Sequence, residues 1–174
     1  MKLLLVVLAF ALAAEALRTH QLVVFNIGKL KGPLGSEAVS EFERALGPIN
    51  DLALISPGYV WQYSPTDEER RENSRGIPML EDELMMPQLS VWEDAESVEH
   101  YVIKSGHGSY LKRRKEWFDK LPDPYGVCYW RPCPEPWEPP TLAEAIAKME
   151  ILKKKGSTAH AFHFREITKR PPPK

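Results

Sequence analysis

An α+β domain is the fold class this sequence predicts, and three observations predict it. Alternating apolar segments and helically spaced ones follow one another in the order β-α-β-β-α-β, a further well-capped helix comes after them, and 43% hydrophobic residues over 174 positions suffice for one core. A chain of this length buries roughly 70% of the surface its unfolded form exposes, so stability requires neither a metal nor a disulfide framework.

His20 to Ile27 alternates Val, Leu and Phe with polar residues and reads as a strand, and Gly28 to Gly35 reads as a loop. Ser36 is placed to cap a helix carrying Ala38, Val39, Phe42, Ala45 and Leu46, which Gly47-Pro48 breaks before a short second segment with Ile49, Leu52 and Ala53. Tyr59 to Tyr63 is the second strand, with Tyr59, Trp61 and Tyr63 on one face, and the polar stretch Ser64 to Met86 reads as the longest loop. Gln88 to Trp92 is the third strand. Asp94 caps a helix with Ala95, Val98, Tyr101 and Val102 on one side; Ser105-Gly106 interrupts it, and it resumes through Leu121. Tyr125 to Arg131 completes a ferredoxin-like split βαβ order, an antiparallel sheet with both helices on one face.

A proline-rich connector, Pro132 to Pro140, leads to a third helix. Thr141 and Glu144 form its capping box, Leu142, Ala145, Ile146, Met149 and Leu152 its apolar stripe, and Gly156 its end. Ala161 to Arg165 suits a short edge strand. The domain spans 20–166, with 167–174 expected as a disordered tail.

The N-terminus differs in kind. Lys2, the unbroken apolar run Leu3 to Ala14 and the small residues of Ala14-Glu15-Ala16 read residues 1–16 as a signal peptide. The run falls short of the ~20 residues that cross a bilayer, so no membrane association is expected once it is removed. The destination is then the exterior or the lumen of the secretory pathway, or a plastid if the leader is half of a two-part address. Among 23 basic and 24 acidic residues there is no basic stripe interleaved with aromatics, which argues against a nucleic-acid partner. Cys128 and Cys133 are read as two thiols, lacking the number and spacing of a zinc site.

Several spaced motifs carry a resemblance. Phe25-Asn26-Ile27, Asn50, Ser56-Pro57-Gly58-Tyr59-Val60-Trp61, Ser90-Val91-Trp92-Glu93, Ser105-Gly106-His107 and Arg113-Arg114 with Trp117-Phe118 occur in the order seen in the domain-of-unknown-function family 3291. The chain resembles that family from about His20 to Phe164. The resemblance implies a dimeric α/β-barrel, in which two ferredoxin-like subunits pair sheet to sheet, and it implies no particular reaction.

The candidate site is centred on His107 to Leu121. At about 100° per residue, His107, Tyr110, Leu111, Arg114, Phe118 and Leu121 share one side. Arg114 is therefore expected to point under the helix and to be more buried than Arg113. With His107 ~10 Å away along the same face, the pair would bracket an anionic or carbonyl-bearing small molecule, Arg114 binding charge and His107 exchanging the proton. The plainer reading has Arg114 paired with a core carboxylate and His107 satisfying the chain at the helix break. Asn26, which alternates with Leu22 and Val24, either faces the pocket or bonds within the sheet. Trp61, Trp92 and Trp117 are candidate ligand platforms for which core packing is the default.

No metal is expected, and no cofactor, with haem on His107 as a variant of the same reading. The functional expectation is a small-molecule binder or an enzyme of monooxygenase or isomerase type, using a pocket between sheet and helices. The alternative is a non-catalytic dimeric interaction protein. In either case the self-partnered homodimer would form across the sheet face left without helices, with the third helix as the chief rival cover for that face.

Overall fold

The computed structural model describes residues 19–133 and 135–173; the expected signal peptide lies outside the described residues. Strand β1 (His20–Leu30) is central, and its alternation buries Val23, Phe25 and Ile27 on one face and Leu22 and Leu30 on the other. Strand β3 (Met85–Trp92) pairs with it antiparallel on one side and β5 (Gly126–Pro132) on the other. Strand β2 (Tyr59–Gln62) pairs outside β3, and the two-residue β4 (Phe118–Asp119) joins the far end of β1 at Lys29 and Leu30. Among the described residues this makes a five-stranded antiparallel sheet whose main order is β2-β3-β1-β5, an α+β architecture compatible with a ferredoxin-like fold.

β1 continues to Leu30, through the start of the expected loop. Gly28 permits this, because a ring carbon of Phe118 stands 2.5 Å from where a Cβ would be, and only glycine lets β4 close over the strand. A second correction concerns β2. A register irregularity between Tyr59 and Trp61 sets Tyr59 opposite Trp92 but Trp61 opposite Val91. Tyr59 thus packs on one side of the sheet while Trp61 and Tyr63 pack on the other, and the three aromatics do not share a face.

Helix α1 (Ser40–Leu54) runs unbroken through Pro48, which was expected to end it. Phe42, Ala45 and Ala53 are buried along its length, so tertiary packing outweighs the hydrogen bond that proline cannot donate. Ser36 makes no side-chain cap; it precedes a 3₁₀ turn, Glu37–Val39, that leads into the helix. The expected long loop contains helix α2 (Asp67–Ser74) and a 3₁₀ turn at Pro78–Leu80. Helix α3 (Ala95–Glu99) is capped by Asp94 and passes into a π-helical turn, His100–Lys104, before helix α4 (His107–Trp117).

Helix α1 and the α3–π–α4 stretch cover the sheet face of Leu22, Trp92 and Leu30. The opposite face carries Val23, Phe25, Ile27, Val91 and Tyr129, and helix α5 (Leu142–Lys155) seals it with Leu142, Ala145, Met149 and Leu152. The face reserved for a second subunit is therefore covered by the chain's own helix. Burying those four side chains stabilises the domain at roughly 25 cal/mol per Å² of apolar surface removed from water, whereas an isolated helix of this length is marginal on propensity alone.

Beyond α5 the expected edge strand reduces to a single bridge between Phe162 and Cys128. The tail starts later than expected: 3₁₀ turns span Phe164–Lys169, Ile167 is buried, and the Trp130 indole N–H donates to the Arg170 carbonyl at 2.7 Å. No disulfide joins Cys128 to Cys133, and burial pushes the Cys128 thiol up to about 12. No helix among the described residues is long and apolar enough to cross a membrane.

Candidate functional site

His107 sits where the π turn gives way to α4. Its Nδ1 lies 3.3 Å from the Val102 carbonyl, its backbone N–H donates to Ser105 Oγ at 3.2 Å, and the Ser105 hydroxyl donates to the Tyr101 carbonyl. The imidazole packs on Tyr101 with 4.8 Å between ring centroids; Tyr101 lies 4.9 Å from Trp92, and Trp92 meets Tyr59 edge-on at 5.6 Å. Burial lowers the pKa of His107, opposed by the Val102 carbonyl, so the ring is neutral at pH 7 and donates its Nδ1 proton to that carbonyl. Burial also raises the Tyr101 hydroxyl to about 12, and the hydroxyl donates to the Ile49 carbonyl at 3.3 Å. These contacts hold a helix break together, which is the plainer of the two roles foreseen for His107.

Arg114 does not point under the helix. It is exposed, and its Nη1 donates to the Leu111 carbonyl of its own helix at 2.9 Å. Arg113 is exposed too but is the more constrained of the two, paired with Glu116 and Glu41 and stacked 5.0 Å from the Trp117 ring. Together these pairings hold the guanidinium pKa well above its usual value.

The misplacement has a definite cause. Phe118 and Leu121 were counted on the helical arc, yet the helix ends at Trp117; Phe118 enters β4 and Leu121 packs on the opposite side of the sheet. Trp117 is the one fully buried residue of α4, which moves the inward direction away from Arg114.

Asn26 is partly buried on the helix-facing side and donates to Gln88 Oε1 across the sheet at 3.1 Å. Trp92 is buried with its indole N–H on Ser90 Oγ at 2.9 Å, and Trp117 is buried against Phe42. Both are core residues. His107, Arg114 and Asn26 bond to separate partners, the Val102 carbonyl, the Leu111 carbonyl and Gln88.

Trp61 is placed differently. It lines an open cleft of about 470 Å³ between the end of β2, helix α2 and the start of α5, within the ~300–1,000 Å³ range of ligand sites. Tyr63 adds a second aromatic ring to the lining, Pro139 and Pro140 add apolar surface from the segment before α5, and Asn73 and Glu69 present polar groups from α2. The parts are held. Trp61 packs against Trp137, whose indole N–H donates to Gln21 Oε1 at 3.0 Å, and Asn73 Nδ2 donates to the Tyr63 hydroxyl at 3.4 Å. Glu69 Oε2 accepts from the Thr66 backbone N–H at 2.8 Å and from its hydroxyl at 2.9 Å, and these bonds hold the carboxyl below the usual range and therefore ionised.

Residues 21–174 match the family described as Domain of unknown function (DUF3291). The chain belongs to the DUF3291 family. No curated protein matches it. Among solved structures, a conserved protein from Methanosarcina mazei Go1 is similar over 66% of this chain and 93% of its own, with 16% identity and a TM-score of 0.45.

Of the six side chains singled out from the sequence of this DUF3291 protein, only Trp61 lines the cleft. Tyr63, Glu69, Asn73 and the Pro139-Pro140 pair were not foreseen as site residues. One signal was available for α2: Thr66-Asp67-Glu68-Glu69 has the Ser/Thr-x-x-Glu spacing of a capping box, which marks a helix inside the stretch that otherwise reads as loop. Nothing in the local pattern places α2 beside a proline segment some seventy positions later.

Proposed function

We propose that this protein binds a small molecule in the cleft between β2, α2 and the start of α5. The observation that carries the reading is convergence: the stretch from the end of β2 through α2 meets a second stretch some seventy positions later, at the start of α5, around one open, partly aromatic concavity of about 470 Å³ whose polar groups are already oriented by hydrogen bonds. A pre-formed site of this kind loses little entropy on binding. Binding, not catalysis, is the proposal, because His107, the group expected to exchange a proton, does not line the cleft.

The test is a fragment screen by ligand-observed NMR on the full chain, repeated with Trp61→Ala. Binders lost in the variant support the cleft. Binders that all persist in the variant, or no binders at all, would overturn it. A second reading, a non-catalytic interaction surface, is favoured by one observation: Ile55 and Ile103 are 80% and 56% exposed on the outer side of the helix layer. A monodisperse monomer at high micromolar concentration would count against self-association through those residues and against the wider expectation of a homodimer.

A further inference from the structure

Resting on the cleft reading above, we infer that the ligand class is a neutral carbohydrate: the cleft sets aromatic and proline surface beside amide and hydroxyl groups and offers no cation. A sugar ring has one chemical peculiarity that few other metabolites share. Its C–H bonds make an apolar face, while its rim carries adjacent hydroxyls that each donate and accept.

Trp61 and Tyr63 supply a surface for the apolar face. Indole and phenol rings are large, stiff and amphipathic, so they contribute contact area at small entropic cost. The rim is answered by Asn73, whose amide donates and accepts, and by the hydroxyls of Ser64 and Thr141. Asn73 and Tyr63 are bonded to each other, which fixes the amide beside the ring.

Charge narrows the class. No Lys, Arg or His is among the described residues that line the cleft, and its one ionised group there is Glu69. A phosphate or carboxylate ligand would meet a carboxylate and no counter-charge. An organic cation would have only that carboxylate to pair with, and Glu69 is exposed, where a single ion pair contributes little. Its Oε1 can accept a charge-assisted hydrogen bond from a sugar hydroxyl, for which a single oxygen suffices. At about 470 Å³, open on one side, the cleft has room for a short oligosaccharide with its ends in solvent.

The experiment is a titration of the full chain, labelled with nitrogen-15, with maltotriose, cellotriose and chitotriose, and in separate arms with choline chloride and sodium phosphate. At least one trisaccharide should shift the amides of Gln62, Tyr63, Asn73 and Thr141, with an affinity weakened roughly tenfold or more by Trp61→Ala and largely kept by Trp61→Phe. Because Trp61 is partly buried, Asn73→Ala serves as the second variant; its side chain is exposed, so it should leave the melting temperature unchanged and weaken the sugar several-fold. Choline or phosphate shifting those amides while no trisaccharide does would overturn the carbohydrate assignment and leave the cleft standing. Silence from every probe, together with a blank fragment screen, would remove both.

Discussion

Two helical stretches cover opposite faces of one sheet and are built on different plans. Helix α5 is a single rod from Leu142 to Lys155, capped by Thr141 at one end and by Gly156 in a positive-φ conformation at the other, and it buries Leu142, Ala145, Met149 and Leu152 in one line. The opposite stretch comes in three pieces. α3 buries Val98, the π turn buries nothing fully, and α4 buries only Trp117. Where α5 is fixed by a continuous apolar seam, the other stretch is fixed at its middle by the His107, Tyr101 and Trp92 stack and by part-buried hydrogen bonds from His107 to Ser105 Oγ and the Val102 carbonyl within the break itself. A continuous helix carries its phase from end to end. A π turn adds a residue to the winding, so the faces before and after it are set independently by whatever each half packs on.

Five substitutions sharpen or break that contrast. The largest effect should come from Met149→Ala on α5, which empties a site only 2% exposed and should cost about 2–5 kcal/mol in denaturant unfolding. A cost below about 1 kcal/mol would mean that α5 is not the rigid seal described.

Gly108→Ala tests the other stretch. An alanine in an ordinary helix interior gains about 1 kcal/mol over glycine, yet here the new Cβ would stand 2.9 Å from the Ile103 carbonyl oxygen of the π turn. The expected result is the opposite sign, a loss of about 1–3 kcal/mol. A stabilised variant would show that the π turn relaxes freely.

The third test is a pH dependence at His107. Burial lowers the folded-state pKa below its ordinary value of 6.5, so between the two values the unfolded chain binds more protons than the folded one. Its contribution is therefore complete above about pH 6.5 and declines as pH falls through that interval. Melting temperatures measured from pH 8 down to pH 5 should fall less steeply in His107→Gln than in the parent. Identical slopes would remove His107 from the account.

The smallest effect is expected from Arg114→Ala, within about 0.5 kcal/mol, since the side chain is exposed and, among the described residues, bonds to its own helix. Arg113→Ala should lower the melting temperature more, and the gap between the two should shrink in high salt, which screens the Glu41 and Glu116 pairings. An Arg114 variant that unfolds would restore it to the interior.

Legibility followed the same division. The stripe of α5 matches its sequence pattern, with Ile146 only partly buried, and Asp94 caps α3 as its spacing predicts, accepting from the Ser97 N–H at 2.8 Å. The strand positions were readable because alternation is a local property of β1, β3 and β5. Arg114 was misread because two of the residues used to phase its helix, Phe118 and Leu121, belong to other elements. Pro48 was misread because the local penalty of a proline is smaller than the packing of Phe42, Ala45 and Ala53 around it.

By itself the sequence determined the α+β class, the order of the main elements, the third helix with its caps and the family to which the chain belongs, because periodicity, caps and spaced motifs are written within a few turns of chain. Three things were decided only by tertiary structure. The irregularity in β2 turned Trp61 away from Tyr59, α5 covered the sheet face that a second subunit was expected to meet, and α2 and the Pro139-Pro140 segment closed a cleft around Trp61. Each depends on which surfaces meet across long stretches of chain, and that choice is settled by the burial available to the whole domain, a quantity no local pattern records.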